Sequence, residues 1–164
     1  MKKIIPTIYK FILCLILFEY LIQSNSSYAF FPKINEPNQK ELESTSIQIG
    51  RTAIQLIQFG QANEAIKLLE LAIKLNPKEA SLWITLAEAQ VRSDKKNEAL
   101  LSLSEAIQLK PKEESIYFSK ASILIDLNEP QKAKDCIKKG LSINKNNERG
   151  YFQLGNTEIM LNNY

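Results

Sequence analysis

The chain has 164 residues, with 21 Lys and Arg against 18 Asp and Glu, no His, two Cys and five Gly. This length allows one compact domain or a short array of repeats. Because His is the commonest general base and metal ligand, its absence excludes Ser–His and Cys–His hydrolases and His-containing zinc sites. The sequence also has no glycine-rich phosphate loop and no paired-cysteine motif. We therefore expect no enzyme, no catalytic residue, no cofactor and no metal site.

Residues 1–29 have the pattern of a secretory signal peptide. Three lysines lie within the first ten residues, and an apolar stretch covers residues 11–22. The small residues Ser27 and Ala29 stand at the −3 and −1 places of a cleavage site. A charged region, a short apolar region and an A-x-A-like end are typical of export. The alternative is an uncleaved membrane anchor through residues 11–22. That stretch is interrupted by Glu19 and is short for a span of about 20 residues.

The rest of the chain is nearly neutral. Removal of residues 1–29 takes away three lysines and one glutamate, which leaves 18 basic against 17 acidic side chains. A phosphate backbone demands a basic stripe, so we expect no nucleic-acid partner. Residues 30–45 are expected to form a proline-punctuated linker and the lead-in to the first helix.

From residue 46 onward the sequence repeats every 34 residues. Small residues recur at this interval in three series, and the residue between the two helices of each unit tolerates a left-handed backbone in every case. Apolar residues at helical spacing predict two helices per unit, and proline closes the first two units. The units are residues 46–79, 80–113, 114–147 and a partial unit over 148–164. The three small-residue series are Ala53, Ala87, Ala121 and Gly155; Ala65, Ala99 and Ala133; and Ala72, Ala106 and Gly140. The turn residues are Gly60, Asp94, Asn128 and Asn162, and the closing prolines are Pro77 and Pro111.

These residues resemble the tetratricopeptide repeat, whose signature is W-x2-L-G-x2-Y, then A-x3-F, then P. The second unit has Trp83, Leu86 and Ala87 followed by Ala99 and Leu103 at the matching places. The resemblance implies an all-α fold, a right-handed α-solenoid of about three and a half helix–turn–helix units after the N-terminal segment. The partial fourth unit contains only a first helix.

A further resemblance concerns the amino-acid sequence of residues 50–60 and 86–90, which is similar to that of exported repeat proteins of cyanobacteria and chloroplasts. It implies localisation in the periplasm or the thylakoid lumen, free or anchored through residues 11–22. It also implies a role in the assembly or stability of a membrane protein complex.

In tetratricopeptide repeats the first helices line the concave face, where ligands of the family usually lie. Carried onto this chain, the resemblance implies a peptide-binding groove with an apolar strip and a polar rim, suited to an apolar protein or peptide segment. Some family members clamp a terminal carboxylate with Lys and Asn, but Gly50 and Ile54 stand at those places here. The expected groove residues are Ile54, Ile84, Glu88, Arg92, Phe118, Ser122, Asp126, Phe152 and Asn156.

Packing between units is the alternative for the apolar members of this set, because a helical apolar stripe is usually core. Phe118 and Phe152 are expected to be exposed on the groove, since Tyr117 and Tyr151 occupy the adjacent packing places. Cys136 precedes a packing position and is expected to be a small packing residue rather than a redox thiol.

Three functions therefore remain open. The first is a non-catalytic interaction scaffold outside the cytoplasm, which assembles or stabilises a partner complex. The second is the repeat arm of a longer protein whose catalytic domain lies beyond Tyr164. The third is a structural protein that associates with itself through the apolar residues 159–161.

Overall fold

The computed structural model describes residues 38–162, which form seven helices and no strand. The predicted signal peptide, the alternative anchor at residues 11–22 and the first part of the linker lie outside the described residues. None of the seven helices is long and apolar enough to cross a membrane. The helices are α1 (Gln39–Gln58), α2 (Ala62–Leu75), α3 (Ala80–Arg92), α4 (Lys96–Leu109), α5 (Glu114–Asp126), α6 (Pro130–Ile143) and α7 (Glu148–Asn162).

Helix α1 begins ahead of the first repeat because its N-terminus carries a capping box. The backbone N–H of Glu41 donates to Asn38 Oδ1 at 3.0 Å, and the backbone N–H of Asn38 donates to Glu41 Oε2 at 3.3 Å. Two amides that the helix itself cannot satisfy are thus paired. The helix therefore starts at Gln39, within the segment expected to lead into it.

Each first helix joins its second helix through a three-residue turn with a left-handed residue at its centre. Gly60 has φ 76°, and Asp94 and Asn128 both have φ 58°, which confirms the predicted conformation at these three places. In the first turn, the N–H of Gly60 donates to the Ile57 carbonyl and the N–H of Gln61 donates to the Leu56 carbonyl. This is a Schellman motif, and the same two bonds recur in the other two turns.

The core of the described residues consists of three apolar clusters, each shared between one repeat and the first helix of the next, and the small residues lie inside them. Ala53, Ala87 and Ala121 are at most 2% exposed, because the second helix of the same repeat crosses over them. Leu69, Leu103 and Ile137 are at most 1% exposed and pack in the same clusters.

Aromatic side chains form hydrogen bonds between successive repeats. Trp83 Nε1 donates to the Pro77 carbonyl at 2.9 Å, and the Tyr117 hydroxyl donates to the Pro111 carbonyl at 3.0 Å. Both bonds reach back from the fourth residue of one repeat to the closing proline of the preceding repeat. Short loops and these contacts stack the helices in chain order, as an α-solenoid requires.

Candidate functional site

A groove of about 620 Å³ opens between α3 and α5, the first helices of the second and third repeats. Its apolar lining comes from the buried side of both helices and from one residue of α4. Its polar lining comes from exposed and half-buried residues of α3 and α5 and from one residue of α7. The apolar residues are Ile84, Ala87, Val91, Leu103 and Ile123; the polar ones are Glu88, Arg92, Ser119, Ser122, Asp126 and Arg149.

The structure brings five of the nine predicted residues together in this groove: Ile84, Glu88, Arg92, Ser122 and Asp126. They share the fifth, ninth and thirteenth places of the 34-residue unit. These places recur on one face of the first helix, and the groove runs along that face.

The charged residues of α3 form an internal ion pair. Arg92 Nη2 lies 3.0 Å from Glu88 Oε1, one helical turn away, and both side chains are 54% exposed. An exposed pair of this kind adds at most about 1 kcal/mol to stability. Its main consequence for the groove is that the two charges neutralise each other.

Ser122 holds two helices together as well as lining the groove. Its hydroxyl donates to the Phe118 carbonyl at 3.2 Å and accepts a bond of 2.6 Å from Gln153 Nε2 on α7. The hydroxyl is therefore engaged within the fold, and it contributes to the groove mainly by its shape.

The expectation that Phe118 lies exposed on the groove is wrong. Its side chain is 2% exposed and is among the largest buried side chains of the described residues. The ring lies between α6 and α7, where a Cβ atom added to either Gly140 or Gly150 would come within 2.7 Å of it. The two glycines leave the space that the ring fills, so Phe118 belongs to the core.

The remaining three predicted residues lie outside this groove. Ile54 on α1 is 42% exposed, and Phe152 on α7 is 68% exposed. Asn156, also on α7, is exposed. Phe152 therefore has the exposure that the sequence predicted, and a ligand contact at these three residues stays a prediction.

Sequence reasoning missed Ser119 and Arg149. Arg149 is the second residue of the partial fourth unit, and the second place of the repeat is one that family members use toward ligands. That register was the available signal, and it identifies Arg149 without any structure. Ser119 occupies the sixth place and carried no comparable signal.

A cavity of similar volume, about 620 Å³, lies between α4, α5 and α6 and includes Cys136. This thiol is half-buried, and the burial raises its pKa, so it is held in the protonated form that is a poor nucleophile. Within residues 38–162 there is no cluster of three or more His, Cys, Asp or Glu side chains that could hold a metal ion.

The fold and the groove define a class of protein, an α-solenoid of helix–turn–helix repeats with a groove between two of its first helices. Two family profiles, both described as tetratricopeptide repeat, match residues 56–101 and 114–147. Residues 56–101 and 114–147 are thus tetratricopeptide repeats, as the 34-residue period predicted. No curated protein matches the sequence.

Solved structures show the same fold at low sequence identity. The first tetratricopeptide-repeat domain of Spaghetti (RPAP3), bound to an HSP90 peptide, is 18% identical with a TM-score of 0.69, over 73% of this chain and 94% of that one. The Yersinia enterocolitica type III secretion chaperone SycD, in complex with a peptide of the translocator YopD, is 18% identical with a TM-score of 0.66, over 71% and 94%. MamA is 22% identical with a TM-score of 0.67, over 76% of this chain and 69% of that one.

Proposed function

We propose that this protein is a non-catalytic interaction scaffold that binds an apolar segment of a partner protein in the groove between α3 and α5. The observation that carries the proposal is the groove itself, an apolar floor of Ile84, Val91 and Ile123 with a charged rim. An apolar cleft with a few polar groups is the usual form of a ligand site. The similar domains of RPAP3 and SycD, whose structures contain bound peptides, support a peptide as the ligand.

We further propose that the scaffold works outside the cytoplasm and assists the assembly or stability of a membrane protein complex. The support for this part is the signal-like pattern of residues 1–29. Intact masses of the native protein, measured separately in cytoplasmic, soluble extracytoplasmic and membrane fractions, test the location. A species that begins at Phe30 in the soluble fraction is expected, and a cytoplasmic protein that retains Met1 would contradict export.

Substitution Ile84→Asp tests the groove. It places a charge on the apolar floor at a half-buried position, so partner proteins that co-purify with the wild-type chain should be lost. Leu71→Asp is the matched control, because Leu71 is 47% exposed on α2 and lies outside the groove. Quantitative mass spectrometry compares the captured proteins, and circular dichroism confirms that both variants keep their helices. Equal capture by the wild type and Ile84→Asp would refute binding at this site.

A further inference from the structure

Two charges in the groove form no ion pair with any other residue of the part of the chain that the structure describes. Asp126 and Arg149 both line the groove and are exposed, and neither has an ion pair within residues 38–162. Glu88 and Arg92, in contrast, neutralise each other at 3.0 Å. The groove therefore offers a bound segment one open carboxylate and one open guanidinium.

These two charges lie at opposite ends of the groove. Consecutive helices are joined by three- or four-residue loops and run antiparallel, so α5 and α7 run in the same direction. Asp126 is the last residue of α5 and Arg149 is the second residue of α7. In repeat register they are eleven residues apart, which corresponds to about 17 Å along the helix axis at 1.5 Å per residue.

The helix dipoles have the same polarity as these side chains. The N-terminal ends of α3, α5 and α7 lie on the side of Arg149, and their C-terminal ends lie on the side of Asp126. Helix N-termini carry partial positive charge and C-termini carry partial negative charge. Among the residues that line the groove, the open charge is thus positive at one end and negative at the other, and the helix dipoles have the same polarity.

We propose that the groove selects an extended apolar segment with an acidic side chain at the Arg149 end and a basic side chain at the Asp126 end. A strand rises about 3.3 Å per residue, so the two ligand charges are about five residues apart. This inference rests on the proposed function of the groove and adds the charge pattern and orientation of its ligand. Asp126 and Arg149 are then the specificity-determining residues.

Selection from a random peptide library displayed on phage tests the inference. The displayed peptides have no free C-terminus, so an acidic preference must come from side chains. Peptides selected on the wild-type chain should carry one acidic and one basic residue on either side of an apolar core. Arg149→Glu should lose the acidic preference and Asp126→Lys the basic one. Lys138→Glu and Glu70→Lys are the matched controls, because both residues are exposed on second helices and lie outside the groove.

Affinity measurements with one selected peptide, synthesised with an amidated C-terminus, give the magnitude. Each groove variant should weaken binding by about two- to five-fold, the range of an exposed ion pair, and added salt should reduce the difference. Fluorescence anisotropy of the labelled peptide measures this change.

The outcomes separate the two proposals. Peptides that depend on Ile84 but keep their charge pattern on Arg149→Glu and Asp126→Lys would overturn the charge selectivity and leave the groove function intact. Peptides whose binding survives Ile84→Asp, or a library that yields none, would overturn both.

Discussion

At the scale of single residues, the first and last contacts between repeats depend on pairing a large side chain with a glycine. The fifth residue of one repeat faces the third residue of the next. At the first of these contacts Gly50 leaves room for Leu82, whose Cδ2 atom lies 2.8 Å from where a Cβ would stand. At the last the sizes are reversed, and Phe118 fills the space left by Gly150 at 2.7 Å. The large side chain thus belongs to the later repeat at the first contact and to the earlier repeat at the last, and both contacts stay closely packed.

Substitution of Gly140 by alanine should lower the stability of the fold. A Cβ atom at this position would lie 2.7 Å from Phe118 Cε1 and 2.9 Å from Cζ. Gly140→Ala removes the helix penalty of glycine, about 1 kcal/mol, but overpacking typically costs about 1–3 kcal/mol. We expect a net loss of about 1 kcal/mol in the free energy of unfolding, measured by urea denaturation.

Gly155→Ala is the control for this substitution. Gly155 also lies within a helix, but apart from its chain neighbours and the backbone of its own helix no atom stands within 4 Å of its added Cβ. It should therefore gain about 0.5–1 kcal/mol from the helix preference alone. A second variant, Phe118→Leu combined with Gly140→Ala, should be less destabilised than the sum of the two single changes. If Gly140→Ala were as stabilising as Gly155→Ala, the ring would not occupy this space.

The sequence predicts a groove residue correctly where the place of that residue in the repeat alone decides whether its side chain is exposed. Ile84 and Asp126 follow from their fifth and thirteenth places, which the resemblance to the tetratricopeptide repeat assigned to the ligand-facing side of the first helix. Phe118 shares the place of Ile84 but is buried, because its environment is set by Gly140 and Gly150 in other helices. Each glycine departs from a pattern, and Gly140 stands where the earlier repeats have alanine. A comparison of these places across repeats, rather than of each helix alone, is what would have revealed the buried ring.

At the scale of elements, the turn inside each repeat is set by one left-handed residue. The sequence predicted this residue at Gly60, Asp94 and Asn128 because Gly, Asp and Asn tolerate positive φ. The early start of α1 was less visible, because it depends on the capping box of Asn38 and Glu41. Periodic patterns thus located the helices, whereas side-chain bonds at their ends decided where they begin.

Gly60→Ala is the prediction at this scale. Gly60 has φ 76°, and its added Cβ would meet no atom beyond its chain neighbours within 4 Å, so the substitution tests backbone conformation without a clash against the rest of the fold. An L-residue in the left-handed region costs about 1–2 kcal/mol, and we expect a loss of that size in urea denaturation. Asp94→Gly is the control, since it relaxes the same turn in the next repeat and should be neutral or slightly stabilising. Equal stability of Gly60→Ala and the wild type would show that the turn can adopt another conformation.

At the scale of the whole described array, stability should be lowest at α7. Repeat arrays gain stability from contacts between neighbours, and the outer face of α7 has none within residues 38–162. Tyr151, Phe152 and Ile159 are 55%, 68% and 61% exposed on that helix. Its attachment depends on the inner side, where Lys134 Nζ lies 2.9 Å from Glu158 Oε1 and Gln153 bonds to α5.

Hydrogen exchange followed by mass spectrometry tests this gradient on the full chain. Amides of α7 should exchange through local opening, well before those of α4 and α5, whose side chains form the central clusters. Because Arg149 belongs to α7 and lines the groove, a bound peptide that contacts it should slow exchange in α7. Arg149→Glu should lose this protection while the groove helices α3 and α5 remain protected by the same peptide. Uniform exchange across all seven helices would instead mean that the array opens as one cooperative unit, and that α7 is held as firmly as the centre.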